Sequence, residues 1–402
     1  MTSLNVELHG ELIGSLNGED WRSFDFEVAP AAIVNHGLGS VVLSLSVPLL
    51  PKQPPAKADR RRNYFNELLP EGDNLKRLAE KLRVPSFDVL KILTQYGRDV
   101  SGAIQIYDPE QAGEPKTPGL IEVTETEVGE LLRNTQAEPL ANEKRRGRSS
   151  LPGVQEKIVL TRHDAQWNRA IDGYPTTHIL KPSPKNSTTI YDEEYGQRIS
   201  RLAGIAPFSV DIQTFDGLDT LVVQRFDRTS EAIPRRIHQE DMNQALGASG
   251  NQKYQDQGGK VSLKRIANAI SIGPKDSAEK LLRQLTISLA IGNLDMHAKN
   301  ISILHYEDGS IELTPAYDMV PLVHVADDDV ALSVNRKYRF AQISGSDIVA
   351  EAESWGVKGA DEIIQATLTN VLEIVASEKA HPKAYPQLRA DIESFTKQLL
   401  AS

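Results

Sequence analysis

Alternating apolar and polar positions open the chain, with Met1 to Leu8 patterned as a strand. Strand and turn signals continue over Leu4 to Gly14, Phe24 to Val28 and Ser40 to Val47. Leu75, Leu78, Ala79 and Leu82 then share one helical stripe, which Pro85 ends. Ser86 is placed to cap a following helix over Phe87 to Leu93, and Ala103 to Tyr107 supplies a closing strand. Residues 1–108 therefore read as one compact α/β unit.

Pro109 to Gly119 is rich in Pro, Gly and charge, the composition of a linker or surface loop. Asn134 to Ser150 is a second polar stretch ending in the basic run Glu143 to Arg148, read as a solvated, mobile loop. Short strands follow at Ile158 to Thr161, Thr177 to Lys181, Asp211 to Phe215 and Leu221 to Arg225, around a helix over Asp192 to Leu202. Beyond Asp227 the period becomes helical. Leu281, Leu285 and Leu289 form one stripe, Ile364, Leu368, Val371, Leu372 and Val375 another, and Ile392, Phe395 and Leu399 a third. The boundaries predict three parts: 1–108, a small lobe at 109–228 and a helical lobe at 229–402.

Bulk composition narrows the class. At 402 residues, with 40% hydrophobic and 25% charged content, the chain has the make-up of a soluble globular protein with a substantial core. A net charge of −10 argues against broad nucleic-acid binding by the chain itself, which needs a basic surface. No cysteine is present, which excludes disulfides, zinc–thiolate sites and cysteine nucleophiles. No leader pattern is visible, and no apolar run approaches the ~20 residues of a membrane-spanning helix. These features lead to the expectation of a cytoplasmic protein without a membrane partner.

The chemistry concentrates after the first long helical stripe. Asp295 and Asn300 stand five positions apart, the D-x-x-x-x-N spacing of a kinase catalytic loop, where the Asp orients an attacking hydroxyl and the Asn holds Mg²⁺. Ile301 to Tyr306 and Ser310 to Thr314 read as a hairpin around Glu307-Asp308-Gly309, returning the chain to Asp318, a second metal ligand. Hard Mg²⁺ takes a few protein oxygens plus nucleotide phosphates, which suits this set. Lys181, closing a small-lobe strand, has the position of the lysine that grips the α- and β-phosphates of ATP. Glu194 in the next helix is its natural partner, with Glu193 beside it left open. Ser150 to Lys157 precedes a strand where a nucleotide loop would sit, yet holds one glycine and matches no generic phosphate motif. Backbone groups of Gln224 and Phe226 lie where the lobes join and could meet an adenine edge. Arg225, Asp227 and Arg228 read equally as a structural ion-pair network. His297 lacks a second ligand at zinc spacing, and His305 and His324 read as ordinary histidines.

Together these residues resemble the HipA family of serine/threonine protein kinases, the toxin component of bacterial HipBA-type toxin–antitoxin pairs. The resemblance runs through Asn63 to Pro70, Gly97 to Ala103, the S-x-x-G-x-Q-E-K loop Ser150 to Lys157, and Thr177 to Lys181. It continues through Arg225 to Arg228, Gln239 to Asp241, Lys253-Tyr254 with Gly258-Gly259, His297 to Asn300, and Tyr317-Asp318. It implies an α+β, bilobal protein-kinase-like fold of the HipA and phosphoinositide-kinase type. The β-rich N-terminal lobe would carry an extra N-terminal subdomain and the C-terminal lobe would be mostly helical.

The resemblance also implies roles. Asp295 would be the catalytic base, with His297 and Lys299 as further catalytic residues of the same loop; Asn300 and Asp318 would bind Mg²⁺. ATP would be bound by Gly153, Val154, Gln155, Glu156 and Lys157 of the nucleotide loop, with Lys181, Glu194, Gln224, Phe226, Asp227 and Tyr317. Ser150 matches a serine that family members autophosphorylate, adding roughly two negative charges beside the nucleotide loop. The implied partners are a HipB-like helix-turn-helix antitoxin and a protein substrate such as an aminoacyl-tRNA synthetase, with DNA reached only through the antitoxin. Three positions depart from the family pattern: Met296 where D-G-H has glycine, Pro152 where a small residue is common, and Gln224 for a frequent glutamate. Two other classes stay open: a small-molecule or lipid phosphotransferase, whose D-x-H-x-x-N loop is similar, and a non-enzymatic nucleotide-binding corepressor.

Overall fold

The computed structural model describes residues 2–402 except Pro115, Lys144, Arg145, Gln257 and Asp327. The chain divides into two compact units, the first comprising Met1–Pro182, Gln213–Glu240 and Leu304–Gly309, the second Ser183–Ile212, Asp241–Ile303 and Ser310–Ser402.

The first unit carries two sheets. Strands β1 (Thr2–Leu8), β2 (Glu11–Gly18), β3 (Asp25–Val28) and β4 (Ile104–Tyr107) form an antiparallel sheet in the order β3–β2–β1–β4. Their inward residues Leu4, Val6, Leu8, Ile13, Leu16 and Phe26 alternate with outward polar ones, and this face closes a core with Tyr64, Phe65, Leu78, Ile92 and Leu93. Those last residues come from helices α2 (Ala58–Asn66), α3 (Gly72–Leu82) and α4 (Val89–Tyr96), which follow α1 (Pro30–His36). The second sheet is ordered β5–β7–β6–β8–β10–β9, from β5 (Gly119–Glu122), β6 (Ile158–His163), β7 (Gln166–Ile171), β8 (His178–Pro182), β9 (Val210–Phe215) and β10 (Leu218–Gln224). Helix α5 (Glu125–Arg133) packs Val128, Leu131 and Leu132 into its core beside Leu160, Trp167 and Leu180.

The second unit is mostly helical. It contains α6 (Thr189–Leu202), α7 (Met242–Leu246), α8 (Leu263–Ile270), α9 (Ser277–Ala290), α10 (Gly345–Glu353), α11 (Ala360–Ser377) and α12 (Leu388–Leu400). The stripes predicted from sequence are the buried faces of α9, α11 and α12: Leu281, Leu285 and Leu289, then Ile364, Leu368, Val371 and Val375, then Ile392 and Leu399. Strands β11 (Ser302–His305) and β12 (Ile311–Leu313) are neighbours in a small sheet, with Gly309 of the turn that joins them at φ +82°. Among the described residues no helix is long and apolar enough to cross a membrane.

Four sequence expectations differ from the fold. Ser40 to Val47 is not a strand: Val42, Leu43 and Val47 are buried, but the backbone bonds close locally, Val47 N–H to the Ser44 carbonyl and Leu49 N–H to that of Ser40. Asp88, not Ser86, caps α4 by accepting from Lys91 N–H. The strand β7 was not anticipated, because its hairpin turn uses Asp164 and Ala165 at positive φ where a glycine would have signalled it. The basic run 143–148 is not a free solvated loop throughout: Arg148 is buried, and Arg146 pairs with Asp172 at 2.5 Å. Lys144 and Arg145 lie outside the described residues.

Candidate functional site

In the second unit, α9 delivers the chain into a loop whose geometry is set by its own amides. Gly292 turns the backbone at φ +70°, and the buried Asn293 side chain accepts Asp295 N–H at 3.0 Å. The Asp295 carbonyl then accepts twice, from His297 N–H at 2.7 Å and from Asn300 Nδ2 at 2.8 Å, while Asn300 N–H binds the His297 carbonyl at 2.9 Å. With its Nδ2 spent on that carbonyl, the Asn300 side chain has its oxygen fixed relative to Asp295. The Asp295 carboxylate is 41% exposed, and its Oδ2 stands 3.8 Å from His297 Nε2, too far for a hydrogen bond. His297 is buried with its ring edge-on to Tyr254.

Lys299 is also buried; its Nζ stands 3.9 Å from Asp241, the carboxylate that caps α7. Its carbonyl accepts the Tyr317 hydroxyl at 2.8 Å, which also meets Ser302 Oγ. The loop is thereby tied to the segment carrying Asp318, a residue in the left-handed region at φ +56°. Leu322 N–H closes a further link to the Gly292 carbonyl. Asn300 and Asp318 offer one neutral and one anionic hard oxygen donor, a set suited to Mg²⁺ that keeps waters and phosphates for its remaining positions. Glu194 is otherwise occupied: Arg198, one turn on in α6, holds both its oxygens at 2.8 and 3.1 Å and also binds Glu378. Its neighbour Glu193 is buried.

In the first unit, Lys181 lies in β8 between β6 and β10, opposite Leu221, and is 8% exposed. Gln224 ends β10, and Arg225 N–H bonds the Thr177 carbonyl, which carries the chain to Phe226. Asp227 does not belong with nucleotide ligands. It is 2% exposed and its oxygens accept from Arg225, from Gly102 N–H and from Gln239, with Arg228 Nη1 at 2.9 Å. Burial alone would raise its pKa, but the guanidiniums of Arg225 and Arg228 win and hold it well below the usual carboxylate range.

The loop 153–157 is held by the start of α3. Glu71 N–H donates to the Gly153 carbonyl, Asn74 Nδ2 to the carbonyls of Val154 and Gln155, and Arg77 reaches Glu156 at 3.1 Å. Thr135 donates to the other Glu156 oxygen, and Lys157 Nζ folds back on the Pro152 carbonyl. Gly153 sits at φ +108°, where a Cβ would stand 2.6 Å from Lys157 Nζ. Ser150 is fully buried with Oγ on the Leu68 carbonyl at 3.0 Å, so in this conformation its hydroxyl is shielded from any phosphate donor. Sequence reasoning missed Asn74, Arg77 and Asn293. Asn74 and Arg77 carry no signal in their own types, since only the fold brings the Val154 and Gln155 carbonyls and the Glu156 carboxylate near them, whereas Asn293 acts locally on the amide two residues ahead.

The chain is similar to known proteins over most of its length. A family profile described as HipA-like C-terminal domain matches residues 149–375, and one described as HipA N-terminal domain matches residues 4–107. A Sinorhizobium fredii protein named "Putative kinase Y4mE" is 28% identical over 388 residues, spanning 94% of this chain and 91% of that protein. The serine/threonine-protein kinase toxin HipA of Shewanella oneidensis is 28% identical over 288 residues, 68% of this chain and 66% of that one. A solved Shewanella oneidensis complex of HipA, HipB and operator DNA superposes with a TM-score of 0.78 at 23% identity, covering 99% and 96% of the two chains. That likeness establishes the α+β kinase-like fold.

Proposed function

The chain belongs to the HipA family of kinases, and we propose that it transfers the γ-phosphoryl group of ATP to serine or threonine hydroxyls of a protein as the growth-arresting toxin of a toxin–antitoxin pair. The observation that supports this reading is the Asp295–Asn300 turn, in which a hydrogen bond to the Asp295 carbonyl fixes the Asn300 amide in one loop with a partly exposed carboxylate.

In the reaction, the Asp295 carboxylate orients the substrate hydroxyl and accepts its proton. The hydroxyl oxygen bonds to Pγ as the bond from Pγ to the β,γ-bridging oxygen breaks, with ADP leaving. Mg²⁺, held by Asn300 and Asp318, would neutralise charge on the phosphates. Lys181 binds the α- and β-phosphates, the loop 153–157 covers them, and the backbone of Gln224 and Phe226 meets the adenine. Lys299 and His297 support the loop from its buried side rather than touching substrate. Glu194 and Asp227, both engaged in ion pairs, are left out of this assignment.

The partner we propose is a HipB-like helix-turn-helix antitoxin, through which the acidic chain reaches operator DNA, as HipA and HipB assemble in the Shewanella complex. The target class is a translation component such as an aminoacyl-tRNA synthetase, and the compartment is the cytoplasm. Autophosphorylation at Ser150 requires the loop to leave its seat on Leu68 first. Growth of a bacterial host expressing wild type, Asp295→Ala, or wild type together with a HipB-like antitoxin tests the toxin reading. Arrest by the wild type alone is expected; arrest by Asp295→Ala would overturn it.

A further inference from the structure

Gln197, in the middle of α6, is 3% exposed, and both ends of its amide are used on the segment that contains Asp318. Its Nε2 donates to the Ala316 carbonyl at 2.7 Å, and its Oε1 accepts Met319 N–H at 3.4 Å. One residue earlier, Gly196 lets the helix backbone lie directly against the same segment: a Cβ there would stand 2.1 Å from the Met319 carbonyl oxygen. Ala316 N–H is anchored in turn by the Ile205 carbonyl. Between these fixed points only Tyr317 and Asp318 make the turn, and Asp318 takes the left-handed conformation at φ +56°. An L-residue enters that region at a cost, and aspartate is one of the few that does so as a single residue. The conformation persists because both its flanks are held.

We propose that Gln197 is a positioning residue for phosphoryl transfer: its amide clamps Ala316 and Met319 so that the intervening turn presents the Asp318 carboxylate to Mg²⁺. The inference rests on the reading of Asp318 as a metal ligand. A side-chain amide is suited to the task because it donates to one backbone group and accepts from another through a single rigid plane. Replacing either end changes the turn without touching substrate or metal. Gln197→Met keeps the volume and removes both hydrogen bonds; Gln197→Glu keeps the acceptor for Met319 and sets an oxygen against the Ala316 carbonyl.

The test measures Mn²⁺ as a spectroscopic stand-in for Mg²⁺, by electron paramagnetic resonance of the full-length protein with a non-hydrolysable ATP analogue. Thermal unfolding and Mg²⁺-dependent phosphate transfer accompany it for wild type, Gln197→Met, Gln197→Glu and Asp318→Ala. Loss of a group that orients a metal ligand costs about 10–100-fold in metal affinity. We expect that weakening in both folded Gln197 variants, matched by a rise in half-saturating Mg²⁺. A drop in melting temperature with unaltered metal affinity would reduce Gln197 to a packing role and overturn the proposal. Should Gln197→Met not fold, the Gln197→Glu comparison decides alone. If Asp318→Ala itself leaves metal binding intact, the metal-ligand reading fails first and carries this inference down with it.

Discussion

Asn300 donates its Nδ2 to the backbone carbonyl of Asp295 at 2.8 Å, so a side-chain hydrogen bond joins the two ends of the D-M-H-A-K-N turn. Asn300→Asp replaces this donor with a second acceptor facing a carbonyl. A group left unsatisfied in this way costs about 1–3 kcal/mol. Phosphate transfer should fall at least ~100-fold through the displaced metal ligand, while unfolding shifts by no more than that cost. Single-turnover kinetics beside a urea titration checks this. Near wild-type transfer by Asn300→Asp would show that the hydrogen bond does not set the site.

Asp99 holds the first unit together from its centre. It is 1% exposed, pairs with Arg228 at 3.1 Å, and accepts from Ser149 and Thr176 through its other oxygen. Burial opposes its ionisation, yet Arg228, Arg225 and Arg236 outweigh it and hold its pKa below the ordinary value. Removing one partner from such a buried pair leaves an uncompensated charge and costs about 3–5 kcal/mol. Asp99→Ala should therefore lose that much in guanidinium unfolding. A loss under ~1 kcal/mol would mean that the guanidiniums rearrange freely.

His178, on β8 beside Trp167, is pushed down to about 4 by burial and by the charge of Arg162. Its unfolded value is near 6.5, so between pH 6.5 and 4 the unfolded chain binds the additional proton. This contribution to stability is full above pH 6.5 and is lost as pH falls towards 4, amounting to about 3 kcal/mol. Unfolding of wild type and His178→Phe across pH 4–7 should show a slope that the variant lacks. Parallel slopes would place the effect elsewhere.

The grip of α3 on the nucleotide loop predicts a coupling between loop opening and the N-terminal part of the chain. Arg77–Glu156 is partly exposed and contributes little, about 0.2–1 kcal/mol. The two carbonyl bonds from Asn74 matter more. Asn74→Ala with Arg77→Ala should speed amide hydrogen exchange over 150–157 about five- to thirtyfold and accelerate phosphate incorporation at Ser150. Exchange as slow as in wild type would contradict it.

Periodicity revealed most of the helical unit, because α9, α11 and α12 each bury one regular apolar stripe. It also placed Asp295, Asn300 and Asp318 around one hairpin. It failed where neither period nor turn residue carries the information. Strand β7 begins after a turn without glycine, whereas α5 was passed over although Val128, Leu131 and Leu132 stand at helical spacing behind the Thr124–Glu127 capping box. Glu194 was read as the partner of Lys181, and Asp227 was left between ligand and ion-pair member, because a carboxylate's type does not reveal its partner. Arg225 two residues away and Arg198 four residues away decide their roles, and only the folded backbone brings those guanidiniums to bear. Gln197 was invisible for the same reason, since a glutamine on a helix shows no sign of the two backbone groups it will bridge.

Phosphate transfer from labelled ATP with Mg²⁺, comparing wild type with Asp295→Ala in the presence and absence of cell lysate, tests the central claim most directly. The account predicts label on the wild-type chain or on a discrete lysate protein and none with Asp295→Ala, both proteins being folded. Equal labelling by the two, or no transfer to protein by an unphosphorylated wild type that binds ATP, would contradict it.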